Sequence, residues 1–289
     1  MKKVGIVLAG GGAKGAFEVG ALEVILRRIN MMGDDLVGVC GTSIGAFNAA
    51  FVASGQFKVL KDAWMNFTPQ NCPITQSGML GPIGTLLTKG HAYKAKPLYD
   101  FLKKNLDMDA YLGSDVKCIN TFVRLGDGEM YHGGNFGKTK KDADRAIKEI
   151  MASMAIVPWL DSVKMDGLEY VDGGFRDTVP VKSLIDHCPD LDIIYIVNCN
   201  PEKRKWNDAL SQGGSAGLLP RLNFFFNDIL WDENNRSDIE IGKLKFWGNS
   251  QKFRLIFPEQ VELQTGVFDP TLIRVAIVNG GLAARLETI

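Results

Sequence analysis

Apolar residues run unbroken from Val4 to Ala9 and stop at a cluster of glycines. Beyond the cluster, Phe17, Ala21, Val24 and Ile25 recur at helical spacing, so the pattern predicts a short buried strand, a glycine turn and a helix over Ala13 to Arg28. Leu36 to Cys40 reads as a second strand and Ile44 to Ala53 as a second helix. Two strand-to-helix units in succession predict an α/β chain whose sheet begins largely parallel and is layered by helices.

Downstream, the pattern loosens and then resumes. Residues 68–97 are rich in Pro, Gly, Thr and Gln, with small apolar clusters at Met79-Leu80 and Leu86-Leu87, and read as an irregular cap segment. A helix is expected over Pro97 to Asn105. Val116 to Leu125 and Glu129 to His132 flank Gly126-Asp127-Gly128 as a hairpin. Asp142 to Met154 predicts a helix, Leu168 to Val171 a short strand and Ile193 to Val197 a buried strand. From Leu218 onward the sequence suggests one long mixed helix, a strand near Phe253 to Phe257 and a last helix over Pro270 to Glu287. With neither repeat nor linker, residues 1–289 are expected to form a single domain with insertions.

Composition narrows the function classes. Of the 289 residues, 46% are hydrophobic and 23% charged, which are globular proportions and exclude a disordered chain. Lys plus Arg equal Asp plus Glu at 33 each, so a whole-chain basic footprint of the nucleic-acid-binding kind is absent. No apolar run approaches eighteen residues, which argues against a transmembrane helix. The start, Met1-Lys2-Lys3 before Val4 to Ala9, imitates a signal peptide, but glycines and Lys14 break it, and a first strand is the better reading. Cys40, Cys72, Cys118, Cys188 and Cys199 are odd in number and lack paired short spacing, as expected of reduced thiols in a cytoplasmic protein.

Three motifs carry the candidate chemistry. Gly10-Gly11-Gly12-Ala13-Lys14-Gly15 fits a glycine turn between strand and helix. A dinucleotide site would need a carboxylate at the end of the second strand, where Val39-Cys40-Gly41-Thr42-Ser43 has none, and a P-loop would need Ser or Thr after Lys14. The physics common to both patterns remains: backbone N–H groups at a helix start favour an anion, and an oxyanion is as suitable as a phosphate. Gly41-Thr42-Ser43-Ile44-Gly45 places a serine at a strand-to-helix turn, the context of a nucleophile, although an N-cap serine has the same pattern. Tyr170-Val171-Asp172-Gly173-Gly174 delivers an aspartate into a glycine turn, where it is either structural or a base that takes the serine proton directly. A Ser-His-Asp arrangement would have to draw on His91, His132 or His187.

In this order the motifs resemble the patatin-like phospholipase family. Met151-Ala152-Ser153-Met154-Ala155-Ile156-Val157-Pro158 is similar to the family's Ala-Ser-x-Ala-x-Pro segment, Val179-Pro180 also fits, and the likeness extends over residues 4–200. It implies a three-layer α/β/α fold with a central, mostly parallel sheet. It also implies a calcium-independent lipid acyl-ester hydrolase of the phospholipase A or lysophospholipase type, with Ser43 as nucleophile and Asp172 as base in a dyad. The N–H groups of Gly10, Gly11 and Gly12 would hold the oxyanion, with Lys14, Gly15, Gly41, Gly45, Gly173 and Gly174 supporting the motifs. The alternatives are a Ser-His-Asp esterase or thioesterase, or a non-catalytic nucleotide-binding module. Dyad chemistry predicts activity that falls in acid as Asp172 protonates, without a histidine inflection near neutrality.

No cofactor is implied. Asp107-Met108-Asp109 and Asp142-Ala143-Asp144 sit where helices are predicted to end or begin, which explains their carboxylates better than calcium does. The expected partner is a lipid or acyl ester, with peripheral membrane contact and no nucleic acid. Leu218 to Trp231, the most aromatic run, either packs on the core or dips into an interface, and the tail from Leu218 is where control or membrane contact is expected. A chain of zero net charge would bind membranes with little dependence on salt.

Overall fold

A computed structural model describes residues 1–74, 93–201, 253–260, 263 and 266–288. The cap residues 75–92, with His91 and the Met79 to Leu87 clusters, lie outside these, as does the run Leu218 to Trp231 with its expected long helix. In chain order the elements are β1 (Lys3–Leu8), α1 (Gly15–Met32), β2 (Asp35–Thr42), α2 (Ile44–Ala53), α3 (Phe57–Asn66), α4 (Lys96–Asn105), α5 (Met108–Leu112), β3 (Lys117–Arg124) and β4 (Met130–Gly134). They continue with α6 (Ala143–Ser153), β5 (Val163–Met165), β6 (Leu168–Asp172), α7 (Val181–His187), β7 (Ile193–Val197), β8 (Phe253–Ile256) and α8 (Pro270–Thr288).

The strands form one sheet in the order β5-β6-β3-β2-β1-β7-β8, with β4 also paired to β3. Neighbours from β3 through β2, β1 and β7 to β8 are parallel; β4 and β6 are antiparallel to β3, and β5 to β6. The parallel strands are apolar on both faces because both faces are covered. Val4, Ile6 and Leu8 of β1 enter a large core with α1, α2, α3, α4, α6 and α8, whereas Val7 and the adjacent Ala9 enter a smaller one with α7. Cys40 of β2 belongs to the smaller core, and all five cysteines are buried.

Polar residues stop the elements where the pattern changes. Asp107 begins α5, its side chain accepting the Ala110 N–H at 3.0 Å. Thr139 and Asp142 form a reciprocal capping box just before α6. These carboxylates thus have helix-end roles. Gly33, at φ 64°, terminates α1 in the left-handed region that other residues adopt at a cost.

Candidate active site

β3 sets the site's geometry. Its residue Thr121 is paired with Thr42, the last residue of β2, and its next residue, Phe122, is paired with Asp172, the last residue of β6. Because β2 is parallel and β6 antiparallel to β3, two chain ends separated by about 130 positions in sequence arrive at one level of the sheet. The Thr42 and Thr121 hydroxyls lie 2.6 Å apart, and Thr42 Oγ1 donates to the Asp177 carbonyl at 2.8 Å, tying the serine strand to the loop after the aspartate.

Ser43 occupies the turn between β2 and α2 with φ 56° and ψ −124°. Such a backbone costs a non-glycine residue about 1–3 kcal/mol and persists only where its surroundings enforce it. The flanking glycines are dictated by close approach. A Cβ on Gly41 would stand 2.3 Å from the Gly45 carbonyl, and one on Gly45 would stand 2.4 Å from the Leu8 carbonyl. The turn is therefore wedged between its own first helical residues and β1. Ser43 is buried, and its N–H donates to Ser153 Oγ at 2.9 Å.

Asp172 is fully buried. Its N–H donates to the Ala155 carbonyl at 3.0 Å, and its Oδ1 accepts the Gly174 N–H at 2.8 Å. Oδ2 has no hydrogen-bond partner of ordinary geometry among the described residues. Burial pushes the carboxyl up to about 7, opposed by the neighbouring Ser43 hydroxyl and the Gly174 amide, which favour the ionised form. At Gly173 a Cβ would meet Thr121 Oγ1 at 2.3 Å, so the double glycine lets the aspartate turn pass directly over β3.

The glycine loop lies on the other side of the serine strand, at the end of β1. The Gly10 N–H donates to the Thr178 carbonyl at 3.0 Å, and its carbonyl accepts the Cys199 thiol at 3.3 Å. Among the described residues no hydrogen bond is made by the N–H groups of Gly11 or Gly12, which precede the positive end of α1. Gly11 leaves no room for a side chain, since its Cβ would stand 2.2 Å from Cys199 Sγ. Lys14 Nζ donates to Asn200 Oδ1 at 2.8 Å, bracing the loop against the end of β7. Gly15 packs on Ile44, and Asn48 Nδ2 donates both to the Gly15 carbonyl and to Glu18 Oε2, so the helices after the glycine loop and after the serine are cross-linked.

Two histidines lie on the side of the sheet covered by α7. His132 Nε2 is 2.8 Å from Ser183 Oγ, His187 Nδ1 is 2.9 Å from the Ser183 carbonyl, and the rings are 5.1 Å apart. Neither is hydrogen-bonded to Ser43 or Asp172 among the described residues. Burial and the neighbouring His187 push His132 down to about 4. Ser153, Thr178, Cys199 and Asn200 were not singled out by sequence reasoning. Only Ser153 carried a signal, as part of the Ala-Ser segment, because the others contribute through backbone or through contacts far apart in the chain.

The fold and this arrangement define a class: a three-layer α/β/α protein with a serine elbow, a buried aspartate and a glycine-rich turn gathered at strand ends. The model of the patatin-like phospholipase family matches residues 6–185, and the chain belongs to that family. In structure it is similar to VipD from Legionella pneumophila, with a TM-score of 0.52 and 15% identity over 99% of this chain and 66% of that one. It is also similar to the type III effector protein ExoU, with a TM-score of 0.45 and 14% identity over 99% of this chain and 52% of that one. The chain thus spans less than two thirds of the length of either protein. No curated protein matches it in sequence.

Proposed function

We propose that the chain hydrolyses acyl esters of lipids, as a phospholipase A or lysophospholipase, through a dyad of Ser43 and Asp172. The observation that carries this reading is the meeting of a strained strand-end serine with a fully buried carboxyl whose Oδ2 has no other hydrogen-bond partner among the described residues. Membership of the patatin-like phospholipase family supports the lipid substrate.

In this mechanism Ser43 Oγ attacks the ester carbonyl carbon while its proton passes to Asp172. The carbonyl oxygen becomes an oxyanion, held by the N–H groups of Gly11 and Gly12. Gly10, whose N–H is already given to Thr178, shapes the loop instead. Each such donor is worth about 3 to 4 kcal/mol where it has been measured in other enzymes. Collapse of the intermediate expels the alcohol, which takes the proton from Asp172 and leaves the acyl group on Ser43. Water then attacks the acyl-enzyme, giving a proton to Asp172, and the second collapse releases the fatty acid as Ser43 recovers that proton. The base is competent only when ionised, and burial makes it a stronger proton acceptor than an exposed aspartate. His132 and His187 are engaged with Ser183 and have no part in these steps.

Among the described residues no helix is long and apolar enough to cross a membrane, so the substrate would be met by peripheral contact. A fluorophosphonate probe tests the assignment. Wild type is expected to gain one covalent adduct and Ser43→Ala none, with phospholipid hydrolysis lost in Ser43→Ala and Asp172→Asn alike. Undiminished labelling of Ser43→Ala would refute the nucleophile.

A further inference from the structure

The strained turn at Ser43 must be held by something outside β2 and α2. Its N–H lies inside the protein, and a buried amide without an acceptor is costly. The acceptor is a side chain 110 positions away: Ser153 Oγ, at 2.9 Å, on the last residue of α6. Ser153 is itself fully buried. Two residues further on, the Ala155 carbonyl receives the Asp172 N–H at 3.0 Å. The three-residue segment Ser153 to Ala155 therefore grips the backbone of both Ser43 and Asp172, each by one hydrogen bond. The segment is anchored in turn: the N–H of Met154 bonds back to Met151 and that of Ala155 to Ala152. Ile150, Ala152 and Met154 are buried in the main core.

We infer that Ser153 is a positioning residue of this site: its hydroxyl oxygen fixes the Ser43 turn, and the end of α6 thereby sets the serine and the aspartate in register with each other. This rests on the Ser43–Asp172 reading above. The bond also commits the Ser43 N–H, leaving oxyanion binding to the glycine loop. Ser153 touches neither substrate nor reacting atoms in this scheme, so its contribution is to the rate of attack and not to ester binding. Its neighbour along the chain, Ala155, acts through the main chain and would be insensitive to side-chain truncation.

The test compares Ser153→Ala, Ser153→Thr and Ser183→Ala with wild type. Alanine is the best helix former, so α6 is retained in the first variant. Threonine keeps the acceptor in the second. The third removes another buried hydroxyl, one bonded to His132 and Asp177, as a measure of what such a loss does in general. Fluorophosphonate labelling rates are taken per folded molecule, with folding measured by thermal melting, together with kcat and KM on a soluble short-chain ester across pH. Ser153→Ala is expected to label and turn over about 10- to 100-fold more slowly, with KM and the pH midpoint unchanged. Ser153→Thr should recover most of the rate, and Ser183→Ala should match wild type. Wild-type rates in folded Ser153→Ala would overturn the inference. So would a loss shared equally by Ser183→Ala, or one that comes with a lowered pH midpoint, because water entering the site would relieve the burial of Asp172. Labelling that persists in Ser43→Ala instead overturns the dyad reading itself, and the two failures are distinguishable.

Discussion

In the proposed dyad, the burial of Asp172 would govern both reactivity and stability. An inflection near neutrality, taken from sequence as the mark of a histidine, is instead expected of the carboxyl, because desolvation pushes it up to about 7. Ester hydrolysis should therefore rise with pH through about 7 and level off above it. His132→Gln and His187→Gln should keep that midpoint and most of the rate, while Asp172→Asn should lose about 10²- to 10⁴-fold at about pH 8, a gap that narrows in acid as the wild-type base protonates. A midpoint that disappears with either histidine would assign the base to the ring. Stability has the opposite slope. The folded protein holds this proton up to about pH 7, whereas an ordinary aspartate releases it near 3.8, so between those values the native state binds more protons and stability falls as pH rises. Asp172→Asn should melt with wild type below about pH 4, gain over it up to about pH 7 and keep a constant advantage beyond; equal melting curves at pH 8 would contradict the burial cost. Ser43 and Asp172 were legible in sequence because each stands in a short glycine-flanked motif. The carboxyl's shift was not, because burial is produced by strands and helices that come together only in the folded chain. Ser153 was visible only as a letter of a motif, since nothing local shows that its hydroxyl meets an amide 110 positions away.

Among the elements, strong apolar runs and long helical periods were placed within a few residues. α3, α5 and β5 escaped, α5 and β5 because five and three residues are too few to show a period. The last helix is expected from its pattern. In the structure α8 packs along α1, and β8 extends the sheet beside β7. The contact is made by glycine: a Cβ on Gly280 would stand 1.9 Å from the Phe17 carbonyl, and one on Gly20 would stand 1.8 Å from the Ile277 carbonyl. Gly281, one position on, has its nearest neighbour at 3.5 Å. Urea denaturation should therefore separate adjacent residues. Gly280→Ala is expected to destabilise by about 1–3 kcal/mol through overpacking, and Gly281→Ala to stabilise by up to about 1 kcal/mol through helix propensity. Equal effects at the two positions would contradict the helix–helix packing. The double glycine was the one sequence signal for this contact, but a pattern that gives helical period does not name the helix's partner.

Over the whole molecule, the motifs end well before the fold does. The family match stops at residue 185, yet β7 pairs with β1 and carries the edge strand β8, and α8 packs along α1, the helix that follows the glycine loop. A chain cut after Pro201 would keep every motif and lose β8 and α8, uncovering the face of α1 that carries Phe17, Gly20, Ala21 and Val24; it should be recovered unfolded or aggregated, and a soluble, cooperatively melting fragment would show that the tail is dispensable. Class and sheet character were legible because alternating strands and helices restrict the topology to few choices. The placement of β6 antiparallel to β3, which brings Asp172 level with Ser43, was not, since nothing in a five-residue strand specifies its neighbour. The central claim, attack by Ser43 with Asp172 as base, is tested most directly by intact-protein mass spectrometry of wild type, Ser43→Ala and Asp172→Asn quenched during turnover of an activated acyl ester. The predicted result is a single added acyl group in wild type that peptide mapping places on Ser43, no adduct in Ser43→Ala and slow, fractional acylation in Asp172→Asn. Acylation at another residue, or lipid hydrolysis by Ser43→Ala at the wild-type rate, would contradict it.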